Sequence, residues 1–270
     1  MLRLIGAGLC GLAVSFAGGL LWGPLFRTNL RVVPALPWSA VVMLCVAGLV
    51  HGALSRTKWF QSLAPAPEQG HWPWVAAAAV ACCLISAVVV GLRFARLPAD
   101  AFASSVDMHA LPRLMQVVRV VMTAFVAAFF EELGFRGLIQ GSLARRYGNV
   151  RSIGITGVLF YLAHLGHGWT HGDAVTVVAV AVPFLVGSAL LGALAALTSS
   201  LGPSMVAHAL TDLVLLPMEW TGKHRLDPVD VVGVDSHFVG WAAAVGVSSM
   251  VCVVLLGRLA SRARRAQCSD

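Results

Sequence analysis

Six side chains in three separate stretches have the types and spacing to do chemistry together. Glu131 and Glu132 are adjacent and Arg136 follows one turn later, in Phe129-Phe130-Glu131-Glu132-Leu133-Gly134-Phe135-Arg136. Further along, Phe160-Tyr161-Leu162-Ala163-His164 places a histidine one turn after a phenylalanine, and His208-Ala209-Leu210-Thr211-Asp212 places an aspartate one turn after a histidine. On a helix Glu132 and Arg136 share a face with the acid N-terminal, the better order for an ion pair, while Glu131 points about 100° away. A carboxylate and two imidazoles in a low-dielectric pocket suffice to hydrolyse an amide, because the carboxylate can take a proton from water and later return it to the leaving amine. Glu131 fits that role. His164 and His208 either hold the water and donate hydrogen bonds to the developing oxyanion, or bind a zinc ion whose Lewis acidity activates the water. Asp212 can orient His208, hydrogen-bond the water or ligate the metal. The Glu132–Arg136 pair is then structural support that fixes the backbone presenting Glu131, since a half-broken buried pair is strongly destabilising.

These residues must be carried by membrane helices. The 270-residue chain is 58% hydrophobic and 11% charged, with a mean hydropathy of +0.82, far more apolar than a soluble domain needs. It reads as an all-α, polytopic integral membrane protein forming one transmembrane domain over residues 1–270, with about eight helices. Apolar runs extend to about Phe26, then over roughly Val33–Leu54, Trp72–Phe94, Leu111–Leu143, Val150–Leu165, Ala174–Leu197, Pro203–Leu216 and Phe238–Leu259. Most approach the ~20 residues that cross a bilayer, although the seventh is short. The first could pass for a signal peptide, but its length argues for a retained span. In the sixth, Pro183 is a possible kink and Gly187, Ser188 and Gly192 are small enough to allow close helix packing. The catalytic helices occupy residues 111–216. Counting ~1.5 Å per residue, Glu131 lies about 21 Å before Arg145 and His164 about 20 Å after Arg151, so the two reach similar depth.

The formal charge of +7 and pI near 9.6 do not point to nucleic acid, because the basic residues are scattered between apolar runs. They collect only at Arg258, Arg262, Arg264 and Arg265, a basic cytoplasmic tail over residues 258–270 whose expected partner is the lipid headgroup layer. With the N-terminus inside, ten Lys and Arg fall on the inner side and seven on the outer, which places both termini in the cytoplasm. Arginine outnumbers lysine 17 to 2, and with the wealth of Ala, Gly and Val this suggests a GC-rich bacterial genome and a bacterial cell membrane. Cys10, Cys45, Cys82, Cys83 and Cys252 lie inside apolar runs, where cysteine behaves as a small hydrophobe, and Cys268 is third from the end, so the chain carries no prenylation box of its own.

Glu131-Glu132-x-x-x-Arg136, Phe160-x-x-x-His164 and His208-x-x-x-Asp212, on the fourth, fifth and seventh of eight helices, resemble the CPBP family of intramembrane endopeptidases. That family includes the eukaryotic CAAX prenyl endoproteases and bacterial bacteriocin-processing or self-immunity proteins. The resemblance covers roughly Leu111 to Leu216. It implies Glu131 as general base, His164 and His208 as water- or oxyanion-binding groups, and Glu132 with Arg136 as scaffold. It also implies a substrate at the C-terminal region of a peptide or lipidated protein. The family often has asparagine where this chain has Asp212.

Other classes make different use of the same residues. A transporter or immunity scaffold would employ Glu131 and the histidines as an ion or proton path, and a haem protein would use His164 and His208 as axial ligands without needing the adjacent acids. Transporters of this kind often carry internal repeats and broken helices in both halves, and beyond Pro183 neither is evident. His167 and His171 follow His164 at metal-like spacing, but Gly166, Gly168 and Gly172 break the helix that would align them and make a wet outer loop.

Overall fold

The computed structural model describes residues 2–32, 37–55, 111–164 and 174–222, and among them all regular structure is helical, with no strand. The chain opens with α1 (Leu2–Val32) and α2 (Trp38–Ser55). It resumes with α3 (Arg113–Glu131), which runs on through a π-helical segment (Glu132–Gln140) into α4 (Gly141–Tyr147). Then come α5 (Asn149–His164), α6 (Ala174–Thr198) and α7 (Gly202–Gly222). Two stretches, Ile5–Val32 and Arg113–Tyr147, are long and apolar enough to cross a bilayer.

The spans expected at Trp72–Phe94 and Phe238–Leu259, the basic tail, and His167 and His171 lie outside the described residues. Two boundaries differ from expectation. α1 continues past Phe26 to Val32, so Arg27 and Arg31 stand on a helix and not in a loop. α7 continues past Leu216 to Gly222, so the helix is longer than the expected apolar run. Pro217 and Glu219 interrupt the apolar pattern of the sequence there without ending the helix.

α1 lies along α3 and the π segment, and three small residues let it approach. A Cβ added at Gly18 would fall 2.7 Å from the Phe130 ring, and one at Gly11 would fall 2.6 Å from Ile139. At Gly134 a Cβ would collide with Ser15 and with the Gly11 carbonyl. Small residues at such crossings are how membrane helices gain dispersion contacts without a hydrophobic driving force. Toward the other end Trp22, Phe26, Met43, Met115, Met122 and Phe130 form a common core with α2 and α3. Trp22 donates its indole N–H to Thr123 Oγ1 at 3.0 Å, and the fully buried Asn29 of α1 accepts from the Ser39 backbone N–H at 2.9 Å, capping α2.

The joints between the later helices are tight. Gly148, at φ 78°, closes α4 by donating its N–H to the Ala144 carbonyl at 2.9 Å, and α5 starts at the next residue. Residues 199–201 turn α6 into α7, with Thr198 Oγ1 bonded to the carbonyls of Leu194 and Ser200. These turns bring α5 and α6 back against the π segment and α7 against α3.

Candidate active site

The π segment decides where the two glutamates look. Glu131 is the last residue of α3 and Glu132 the first of the π segment, all nine of whose residues are buried. Its hydrogen bonds run from i to i+5, a wider turn often found at functional sites. Glu132 is completely buried and Arg136 nearly so, and Arg136 Nη1 lies 3.0 Å from Glu132 Oε1 in an ion pair. The expected one-turn pair is therefore present. Glu131 turns the other way and keeps 20% of its side chain exposed.

What Glu131 faces is contributed by α5 and α7. Its Oε2 lies 3.7 Å from His164 Nε2 and 3.9 Å from His208 Nε2. Asp212 Oδ2, one turn beyond His208, lies 3.6 Å from the same His208 Nε2. The structure thus gathers Glu131, His164, His208 and Asp212 in one place, with Glu132 and Arg136 directly behind. His164 and Asp212 are each 19% exposed at the side chain, whereas the ion pair behind them is fully buried.

Both imidazoles are anchored through Nδ1. His164 Nδ1 is 2.7 Å from the Phe160 carbonyl, which can only accept, so that nitrogen carries the proton. His208 Nδ1 is 2.9 Å from Glu132 Oε1, a carboxylate oxygen already ion-paired with Arg136. In each ring Nε2 is therefore the nitrogen left to face Glu131, and the partner on Nδ1 fixes the ring's tautomer and direction. The distances from Glu131 to the two Nε2 atoms exceed those of direct hydrogen bonds and suit a bridging molecule between the groups.

The Glu132–His208 bond joins residues 76 apart and no spacing rule announces it. The sequence suggested Asp212 as one possible orienter of His208. It is Glu132 that holds the ring's Nδ1, and Asp212 approaches the opposite nitrogen.

Phe160 packs between the charged and the imidazole groups. The Arg136 guanidinium lies 4.7 Å from its ring centre, and the rings of His164 and His208 are 4.4 and 6.2 Å from it. Cation–π attraction and ring packing together leave little freedom to the site's rear wall.

Residues 113–214 match the family model described as Rce1-like, type II CAAX prenyl endopeptidase Rce1-like. This segment is an Rce1-like domain. Comparison with curated proteins and with solved structures gives no match. The domain runs from the first residue of α3 into α7 and so contains every residue of the cluster, while α1 and α2 lie outside it. The Rce1-like match and the apolar helices together suggest an integral membrane protein.

Zinc was one expectation for the two histidines. A tetrahedral zinc site brings three or more donors to one point, with donor atoms about 3.3 Å apart for bonds of ~2.0 Å. Among the described residues no three His, Cys, Asp or Glu side chains are so disposed. No step below passes through a metal.

Proposed function

We propose that this chain is an intramembrane endopeptidase in which Glu131 activates water against a peptide bond. The observation that carries the reading is the placement of Glu131 Oε2 opposite both histidine Nε2 atoms, at 3.7 and 3.9 Å, while Glu132 is withdrawn into an ion pair. A water between these groups gives one proton to Glu131 as its oxygen bonds to the substrate carbonyl carbon. The carbonyl π electrons move to oxygen, and Glu131 then protonates the leaving nitrogen as the C–N bond breaks. The Nε2 atoms serve the same reaction from the other side. Unprotonated, they accept the second hydrogen of the water; protonated, they donate to the oxyanion. Asp212 lies near His208 Nε2, where it can accept from the water or from the protonated ring.

The Rce1-like domain supports a substrate cut near its C-terminus and held at the membrane, either a lipidated protein or a membrane-associated peptide. Bacteriocin processing and self-immunity are the variants of this chemistry that fit a bacterial membrane. The proposed architecture is eight spans in a bacterial cell membrane, both termini cytoplasmic and residues 258–270 on the lipid surface. The test is N- and C-terminal peptide profiling of cells carrying the wild-type chain or Glu131→Gln. New termini that require Glu131 support the reading, and identical profiles contradict it.

A further inference from the structure

α6 carries none of the three motifs, yet one of its faces meets the site at three levels. Phe184, Ser188 and Gly192 are spaced four residues apart and so share a side of the helix. The Phe184 ring lies 4.9 Å from that of His164, which also lies 4.4 Å from the ring of Phe160. Ser188 accepts twice from Arg136 Nη2, at Oγ over 3.1 Å and at its carbonyl over 3.3 Å. The Gly192 carbonyl accepts from Gln140 Nε2 at 2.8 Å, and a Cβ on Gly192 would fall 2.6 Å from Gln140 Oε1. Gly187, small but off this face, would meet nothing within 4 Å.

The guanidinium of Arg136 therefore forks between two helices. Nη1 holds Glu132 Oε1 at 3.0 Å and Nη2 holds Ser188. Glu132 Oε1 in turn holds His208 Nδ1 at 2.9 Å. Because the guanidinium is planar and rigid, fixing one arm fixes the direction of the other. We infer that Ser188 is a positioning residue for the hydrolytic site: through Arg136 and Glu132 it sets the direction of His208, while Phe184 on the same face braces His164. The inference rests on the proteolytic reading above. Misplacement of a reacting group by about 1 Å can cost ~100-fold, so a relay of this kind bears on turnover even though Ser188 touches no substrate.

The competing account is that Ser188 is merely a small residue that lets α6 approach, as small residues do at membrane helix crossings. The two accounts differ for Ser188→Ala, which is smaller still and removes only the hydroxyl. The probes are quenched-fluorescent C-terminal peptides, S-farnesylated or unmodified, cleaved by the purified full-length chain in lipid. Ser188→Ala is expected to lower kcat roughly 10-fold, the scale of a hydrogen bond to a charged group, with KM and melting temperature near wild type. Ser188→Thr restores most of the loss. In an Arg136→Lys background, where the ammonium cannot span both partners, Ser188→Ala causes no further loss. Full kcat in Ser188→Ala, equal impairment of Ser188→Thr, or losses that multiply in the double variant would each overturn the positioning role. A wild-type chain that cleaves neither peptide overturns the endopeptidase reading and this role with it; a cleaving wild type beside an unimpaired Ser188→Ala overturns the role alone.

Discussion

His208 Nδ1 and Glu132 Oε1 lie 2.9 Å apart, so the second glutamate of the pair holds an imidazole as well as an arginine. Removing Glu132 therefore breaks two buried contacts at once. Glu132→Ala leaves Arg136 charged and uncompensated, and a loss of ~3–5 kcal/mol in stability is expected together with loss of turnover. Glu132→Gln keeps an oxygen for the Nδ1–H and loses the charge opposite Arg136, so it should fall between wild type and alanine in both readouts. Thermal unfolding in detergent beside peptide cleavage checks this, and an unaltered melting temperature for Glu132→Ala would show the pair contributes nothing.

His164 and His208 share a line to Glu131 but differ in what stands behind them. Each alanine substitution should cost at least ~100-fold in turnover, the scale of losing an oxyanion donor or acid–base partner. Only His208→Ala should also lower the melting temperature, because only His208 bonds to the buried Glu132; His164 is tied to a backbone carbonyl, which stays in the helix ladder without it. Equal melting behaviour of the two variants would argue against that division.

Much of this site was legible because helix spacing works locally. Glu132 with Arg136 and His208 with Asp212 are pairs on one helix face, and the opposite aim of Glu131 follows from the same geometry. Their convergence was legible only as a depth estimate along α3 and α5. What the spacing rules do not reach are bonds between helices: Glu132 to His208, Arg136 to Ser188, and Gln140 to Gly192. Nor could the pattern report the π segment, whose apolar and polar residues suit either register. Ser188 and Gly192 were visible as small residues, but their carbonyls, which accept the polar side chains, carry no sequence signal.

Gly134 is the point where α1 meets the π segment, and a methyl group there has no room beside Ser15 and the Gly11 carbonyl. Gly134→Ala should cost on the order of 1–3 kcal/mol as an overpacked contact and lower activity by shifting Glu131 and Glu132. Gly6→Ala on α1, with nothing within 4 Å, is the control and should be near neutral. Melting temperatures of the two variants decide, and a Gly134→Ala chain as stable as wild type would show that α1 does not press on the site.

Asp212 approaches His208 Nε2 at 3.6 Å, on the side where water and substrate would lie. A neutral oxygen acceptor suffices for the metal-independent mechanism, so Asp212→Asn should keep most activity and Asp212→Ala should not. Metal content per polypeptide, measured beside cleavage for wild type and Asp212→Asn, is the check. Stoichiometric zinc lost together with activity in the asparagine variant would replace this mechanism with a metal-dependent one.

The most direct measurement is cleavage by Glu131→Gln. The amide keeps the size of the side chain and removes the base, and Glu131 stands outside the buried ion pair, so abundance and melting temperature should match wild type. The purified variant in lipid, given the peptide that wild type cuts, is predicted to show no detectable turnover. Wild-type turnover by Glu131→Gln would contradict the central claim that this carboxylate activates the water.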